Sequence, residues 1–323
     1  MSPASAVAAD AQKVGKYISV PLFYVTDRAV SENGFNGQRK REHGTSIYNL
    51  YFGKLDYTLK NTKKTELSED VIKLGWKAEQ KQTGSGLKNE PIKGSGTKGG
   101  FNDFKTALIE ATTKADSKDV FLMVHGFNNT HEQAAASGAK LAMSLKKTVI
   151  IFDWPSKGKL GQYSVDAGNN EWSQEHFNRL VEVLRDLKEK NGINFNLVAH
   201  SMGNRLAIRS APVLRGSHLF DQIFLVDPDF DAETFFHYMT RYALNQDELE
   251  KQFETGADGA PGLQKTKVRI LFSQKDNALP LAQFLCGGYT RLGQAADSML
   301  ETLFTPSSLS EMVQGAGKFI SRD

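Results

Sequence analysis

The chain has 323 residues, of which 40% are hydrophobic, and this is enough for a sizeable core near the upper limit of a single domain. Its 40 basic and 37 acidic residues are spread along the chain, so no concentrated positive field for a nucleic acid is expected. The single cysteine, Cys286, excludes an intramolecular disulfide and cannot nucleate a zinc site. No apolar run reaches the ~18 residues of a membrane-spanning helix. We expect a soluble protein without a metal, an organic cofactor or a nucleic-acid partner.

Residues 1–16 predict a disordered or processed N-terminus. Their small side chains are typical of a signal-peptide cleavage region, but the charged and apolar stretches that should precede such a region are missing. A trimmed remnant of an exported precursor and a simple disordered start remain equally open. The compartment, cytoplasmic or periplasmic, is therefore open as well, because the lack of disulfides does not decide it.

Residues 17–100 predict an N-terminal β extension. The stretches 17–27 and 46–58 are rich in β-branched and aromatic residues, which is typical of strands. Residues 80–100 are rich in Gly, Lys, Ser and Gln and predict a flexible polar loop. We expect this loop to separate the extension from a catalytic core over residues 101–323.

The core sequence alternates amphipathic helices with short apolar runs, which predicts a mostly parallel central sheet with helices on both faces. A helical apolar period runs from Phe177 to Leu187, and Asn191-Gly192 predicts its end. The predicted core strands are Val120–Val124, Thr148–Phe152, Phe195–Ala199, Gln222–Val226 and Val268–Phe272.

Ser201 is the candidate nucleophile because it follows a buried strand and precedes a helix-compatible stretch. In such a nucleophile elbow the serine is strained, so the residues two before and two after it must be small. Ala199 and Gly203 meet this demand, although a strict pattern has Gly in the first position. The competing interpretation is that Ser201 merely caps the following helix. An acidic nucleophile, as in haloalkane or epoxide hydrolases, is excluded by the serine itself.

The loop His125-Gly-Phe-Asn-Asn129 follows the first core strand and predicts one half of an oxyanion hole. Hydrolases of this type take one N–H donor from such a loop and the other from the residue after the nucleophile. We therefore assign the backbone N–H groups of Phe127 and Met202. His125 is expected to brace the loop rather than transfer protons, and Trp154, after the second core strand, is a pocket candidate.

The chain resembles a group of bacterial α/β-hydrolase-fold proteins, esterases or lipases of uncharacterised physiological role. The resemblance spans residues 18 to 295 and implies the fold and hydrolytic chemistry without an agreed substrate. It rests on the stretch Val-Pro-Leu-Phe-Tyr-Val-Thr-Asp-Arg near the start and on Val124–Asn129, Phe152–Pro155, Ala199–Gly203, Val226–Asp231 and Ser273–Ala278.

The acid of a Ser–acid–His triad is expected on a loop after a late strand. Asp276 follows the last predicted strand, and the resemblance points to the same residue. Asp229 is the one serious rival, because Asp231 is predicted to cap a helix and Asp227 to be shielded at the strand end. A calcium loop over these residues is not expected, since Tyr238 stands where the bidentate Glu would be.

No histidine follows His237, although the resemblance implies one after the acid near the C-terminus. Three interpretations remain open: a C-terminally truncated chain, a base folded back from elsewhere, or a catalytically impaired binding or scaffolding protein. The candidates for a folded-back base are His125, His131, His176, His218 and His237.

The expected substrate is a small-molecule or lipid ester, and the oligomeric state is open. The aromatic stretch from Phe230 to Tyr242 predicts either an acyl pocket or an ordinary core helix. Nine lysines between Lys60 and Lys98 either attract an anionic membrane or merely solvate the extension.

Overall fold

A computed structural model describes residues 13–14, 17–31, 34–40, 50–60, 87–91, 98–115, 117–214, 218–235, 238, 267–271 and 291–292. The chain divides into two compact units, Met1–Phe195 and Asn196–Asp323, which are described separately.

The first unit contains a sheet flanked by helices. Its neighbouring strands run in the order β7-β8-β2-β5-β6, in which β7–β8 and β8–β2 are parallel and the remaining pairs antiparallel. A separate hairpin is formed by β3 and β4. The elements are β1 (Lys13–Val14), β2 (Tyr17–Thr26), β3 (Arg28–Ser31), β4 (Gly34–Arg39), β5 (Tyr51–Lys60), β6 (Leu87–Pro91), α1 (Lys98–Lys114), β7 (Asp119–Val124), α2 (His131–Leu145), β8 (Thr148–Asp153), a 3₁₀ turn (Leu160–Gln162), α3 (Tyr163–Trp172) and α4 (Gln174–Asn191).

Helices cover both faces of this sheet, because successive strand residues point to opposite sides. On β2, Tyr24 belongs to a core cluster with the alanines of α2, whereas the neighbouring Phe23 contacts Phe104 of α1 with ring centroids 5.9 Å apart. On β8, Ile151 belongs to the α2 side, whereas Phe152 packs edge-on against Phe177 of α4. Burial on both faces explains why these strands are continuously apolar.

Helix α2 begins with a capping box and packs closely against the sheet. Thr130 accepts a hydrogen bond from the backbone of Gln133, whose side chain accepts from the N–H of Thr130, and together they form a capping box. Gly138 lets the helix approach β8 closely, because a Cβ there would lie 2.6 Å from Ile151. The predicted end of α4 is confirmed, since Gly192 is left-handed with φ 63°.

The second unit contains the remaining described strands and several short helical stretches, of which one follows Asp231. Strand β10 pairs with β11 in parallel and neighbours β9 on its other side. Its elements are β9 (Asn194–His200), which begins two residues before the unit boundary, a 3₁₀ turn (Ser201–Gly203), α5 (Asn204–Arg209), α6 (Ala211–Leu214), β10 (Phe220–Val226) and β11 (Lys267–Leu271).

The mostly parallel sheet with helices and all five predicted core strands are confirmed, with bounds shifted by at most two residues. The predicted loop over residues 80–100 differs from the structure, because Leu87–Pro91 pairs with β5 and α1 begins at Lys98. Strand β1 lies within the stretch 1–16 that was predicted to be disordered or processed. Among the described helices, none is long and apolar enough to cross a membrane.

Candidate active site

Ser201 lies on a sharp turn at which β9 passes into the 3₁₀ turn and α5. Its backbone is left-handed, with φ 48°, a conformation that costs a residue with a Cβ about 1–2 kcal/mol. The residues two before and two after it, Ala199 and Gly203, are both buried. The strained backbone and small flanking residues are the features of a nucleophile elbow.

The carbonyl of Ser201 is held by two donors of the same unit. The side-chain amide of Asn204 donates to this carbonyl at 2.9 Å and to the carbonyl of Val226 at 3.0 Å. The backbone N–H of Asp229 donates to the Ser201 carbonyl at 3.2 Å. These bonds tie the turn to the end of β10 and so maintain the strained conformation. Sequence reasoning missed Asn204. Its position three residues after the serine was a signal that could have pointed to it.

The carboxylate of Asp229 is buried between two arginines. Arg205 donates to Oδ2 at 3.0 Å and Arg291 donates to Oδ1 at 2.7 Å. Both oxygens therefore have a cationic partner, and Arg205 links Asp229 to the helix that follows the nucleophile.

The other acidic candidates lie in different surroundings. Asp231 caps its helix as predicted, because its side chain accepts from the N–H of Thr234 at 2.8 Å. Asp227 is left-handed, with φ 42°, and its N–H donates to the carbonyl of Leu271. Asp276, the preferred acid, lies outside the described residues, as do Cys286 and His237.

The loop after β7 directs three successive carbonyls toward side-chain donors. Trp154 Nε1 donates to the carbonyl of His125 at 2.8 Å, and Asn129 Nδ2 donates to those of Gly126 and Phe127 at 3.2 and 2.9 Å. Within the described part of the chain, no hydrogen bond uses the N–H of Phe127. The loop thus leaves this N–H available as a donor.

His125 and Trp154, the two predicted pocket residues, are both buried. Their rings stack with centroids 5.0 Å apart and planes 11° apart. His125 Nδ1 faces the Gly126 carbonyl at 2.9 Å, and Nε2 faces Asp153 at 3.0 Å. Both ring nitrogens are thus engaged in the structure of the loop.

A buried ionic network lies behind this loop and is centred on Asp153. Its carboxylate accepts from Arg28 Nε at 2.8 Å and contacts His125 and His131, the latter at 2.7 Å. Burial by itself would raise the pKa of Asp153, but the charge of Arg28, the hydrogen bond from His125 and the interaction with His131 hold the pKa well below its ordinary value. Asp153 is therefore ionised in the interior.

Arg28 connects the network to two loops at the same edge of the sheet. Its guanidinium also donates to the carbonyl of Ser156 at 2.8 Å and to that of Asn129 at 3.0 Å. Because β2, β7 and β8 are parallel, the residues that follow their carboxyl ends meet at one edge, where sites on such sheets form.

Asp166 of α3 is a second buried carboxylate that fixes the same loops. It accepts from Ser156 Oγ at 2.5 Å, from the N–H of Lys157 at 2.8 Å and from the N–H of Asn128 at 3.3 Å. Ser156 Oγ in turn accepts from the N–H of Asn129 at 3.0 Å. Asn128 is left-handed, with φ 60°, so the loop is strained at the residue that Asp166 holds.

Sequence reasoning missed Arg28, Asp153 and Asp166. Two of the motifs that carry the family resemblance, Val20–Arg28 and Phe152–Pro155, contain the partners of one ionic network. The available signal for Arg28 and Asp153 was a charged residue directly after a predicted strand.

Three of the five histidines considered as a base have carboxylate partners in the first unit. His125 and His131 contact Asp153, and His176 Nδ1 lies 2.9 Å from Asp27. His218 lies in the second unit with a left-handed backbone, φ 45°. Among the described residues, no group of three or more His, Cys, Asp or Glu side chains could hold a metal ion.

The parallel sheet with helices on both faces and the elbow after β9 define the chain as an α/β hydrolase. The profile of the family described as alpha/beta hydrolase of unknown function (DUF900) matches residues 102–310. This is more than half of the chain, so the protein belongs to that family. No curated protein matches it.

Proposed function

We propose that the protein is a serine hydrolase that cleaves an ester or related acyl bond with Ser201 as its nucleophile. The observation that carries the proposal is the left-handed backbone of Ser201 between a buried strand and a helix. A serine that only capped a helix would have an extended backbone and would not need this strain.

In the proposed reaction Ser201 Oγ attacks the acyl carbon while its proton passes to a general base. The proposed donors to the oxyanion are the N–H groups of Met202 and Phe127, of which the first belongs to the 3₁₀ turn that leads into α5. The bond to the leaving alcohol breaks as the base returns the proton to the alcohol oxygen. Water then hydrolyses the acyl-serine by the same route.

Asp276 is the proposed acid of the triad. The geometry of Asp229 supports this choice, because both of its oxygens are already engaged by arginines. His125 has both ring nitrogens occupied within the loop, Nδ1 by the Gly126 carbonyl and Nε2 by Asp153, which argues against it as the base. The occupied ring of His125 also favours a second candidate function, a catalytically impaired hydrolase-fold protein that acts in binding or scaffolding.

A fluorophosphonate probe tests the proposal, because it labels an activated serine without any knowledge of the substrate. We expect labelling of the wild-type protein, its complete loss in Ser201→Ala and a reduction of about 10²-fold or more in Asp276→Ala. His131→Gln, His176→Gln, His218→Gln and His237→Gln test the remaining histidines as the base. A folded wild-type protein that never labels would overturn the hydrolase proposal in favour of the binding protein.

A further inference from the structure

One short surface segment combines exposed apolar and basic side chains. The segment, residues 157–165, is called the basic–apolar segment. It carries Leu160, 71% exposed, and Val165, 42% exposed, which are two of the three large hydrophobic residues exposed in the described part of the chain. Single exposed apolar residues are common on surfaces, but here two lie five residues apart in one short segment.

Two lysines lie in the same segment. Lys159 is exposed and Lys157 is half-buried, and within the described residues neither ammonium group forms a salt bridge. Asp166, the acidic side chain of α3 that lies nearest to them in sequence, is buried and occupied by loop donors. The segment therefore presents both apolar and positively charged side chains.

The segment is rigidly anchored and follows the loop of the candidate site. Asp166 binds the N–H of Lys157, and Gly158 is left-handed and so close to Thr130 that a Cβ would lie 2.6 Å from its methyl group. Tyr163, near the far end of the segment, packs edge-on against Phe127 with centroids 5.3 Å apart. The exposed residues thus lie beside the proposed oxyanion donor at the carboxyl edge of the parallel strands.

We propose that the basic–apolar segment docks onto an anionic lipid surface, from which the ester substrate reaches the site. Leucine and valine side chains enter the interface between headgroups and acyl chains, while lysines beside them attract anionic headgroups. The positive charges favour this occupant over a neutral apolar one. The catalytic part of the inference rests on the proposed function, whereas the docking itself does not.

Co-sedimentation with vesicles tests the docking without requiring turnover. The full chain carrying Ser201→Ala is mixed with vesicles of phosphatidylcholine alone or with one third phosphatidylglycerol. We expect binding to the anionic vesicles that weakens with salt, a loss of about tenfold in Leu160→Ser and of about fivefold in Lys159→Gln. Leu160→Met should retain binding, because it keeps the apolar side chain.

Lys146→Gln is the matched control. Lys146 is another exposed lysine, which ends α2 just before β8 begins and so lies at the opposite edge of the parallel strands. Its variant should bind like the parent. Equal binding of the parent protein to both vesicle types would overturn the docking proposal. So would Leu160→Ser and Lys159→Gln variants that bind the anionic vesicles as well as Lys146→Gln does. Fluorophosphonate labelling of the protein without Ser201→Ala reports separately on the proposed function.

Discussion

The loop after β7 and the elbow after β9 both hold a residue in the left-handed region, but they do so by different means. The loop is fixed by an acidic and a basic side chain, with Asp166 on the N–H of Asn128 and Arg28 on the carbonyl of Asn129. The elbow is fixed by neutral donors, the amide of Asn204 and a backbone N–H, on the carbonyl of Ser201.

Because of this difference, we expect substitutions to affect the loop after β7 and the elbow after β9 in different ways. Buried ion pairs are strongly destabilising when one partner is removed, and they depend on pH. A strained turn held by neutral hydrogen bonds depends mainly on the conformational preference of the residue in it. We therefore expect the loop to respond to charge and the elbow to respond to backbone substitution.

The largest effect on stability is expected from Asp153→Asn. The substitution leaves the buried guanidinium of Arg28 without its carboxylate and should lower the free energy of unfolding by about 3–5 kcal/mol in urea titrations. Asp186→Asn is the control, because it removes the exposed partner of Lys190 and should cost less than about 0.5 kcal/mol. Equal effects of the two substitutions would contradict the importance of the buried network.

The same variant should reveal the pH dependence of the network. Because the pKa of Asp153 is lowered on folding, its stabilisation is complete above the ordinary value of about 4 and is lost as the pH falls toward the lowered value. The difference in unfolding free energy between wild type and Asp153→Asn should therefore persist at pH 5 and shrink below about pH 4. If this difference in unfolding free energy disappeared between pH 7 and 6, groups other than Asp153 would cause the pH dependence.

A smaller effect is expected from Asp166→Asn, which keeps the size of the side chain but replaces an acceptor by an N–H₂ group facing donors. We expect a loss of about 1.5–3 kcal/mol in the free energy of unfolding. The rate of fluorophosphonate labelling should fall about tenfold, because the loop that carries the N–H of Phe127 loses its support. If the variant were destabilised but labelled at the wild-type rate, the support that Asp166 gives to this loop would not contribute to the reaction.

The smallest effect distinguishes Ser201→Gly from Ser201→Ala. Neither variant should label, but glycine adopts the left-handed conformation without strain and should be more stable by about 1 kcal/mol in thermal or urea unfolding. Ser210 provides the control, since its φ of −81° is right-handed and its Gly variant should be less stable than its Ala variant by about 0.5–1 kcal/mol. If the Ala variant were more stable than the Gly variant at both positions, the backbone of Ser201 would not be strained.

The local pattern of the sequence determined the core strands, helix α4 and the elbow. A continuous apolar run, a glycine at a helix end and small residues around a serine each act over a few residues, so their structural consequences can be predicted from those residues alone. The strained backbone of Ser201 followed from the strand before it and the small residues around it.

Tertiary structure alone decided how distant segments combine. Residues 17–27 were predicted as part of a separate extension, yet β2 pairs in parallel with β8, more than 120 residues away. Arg28 thereby meets Asp153, a pairing that depends on long-range register and leaves no local periodicity in the sequence. The same holds for Asp166, whose role depends on two loops that only the folded sheet brings to it.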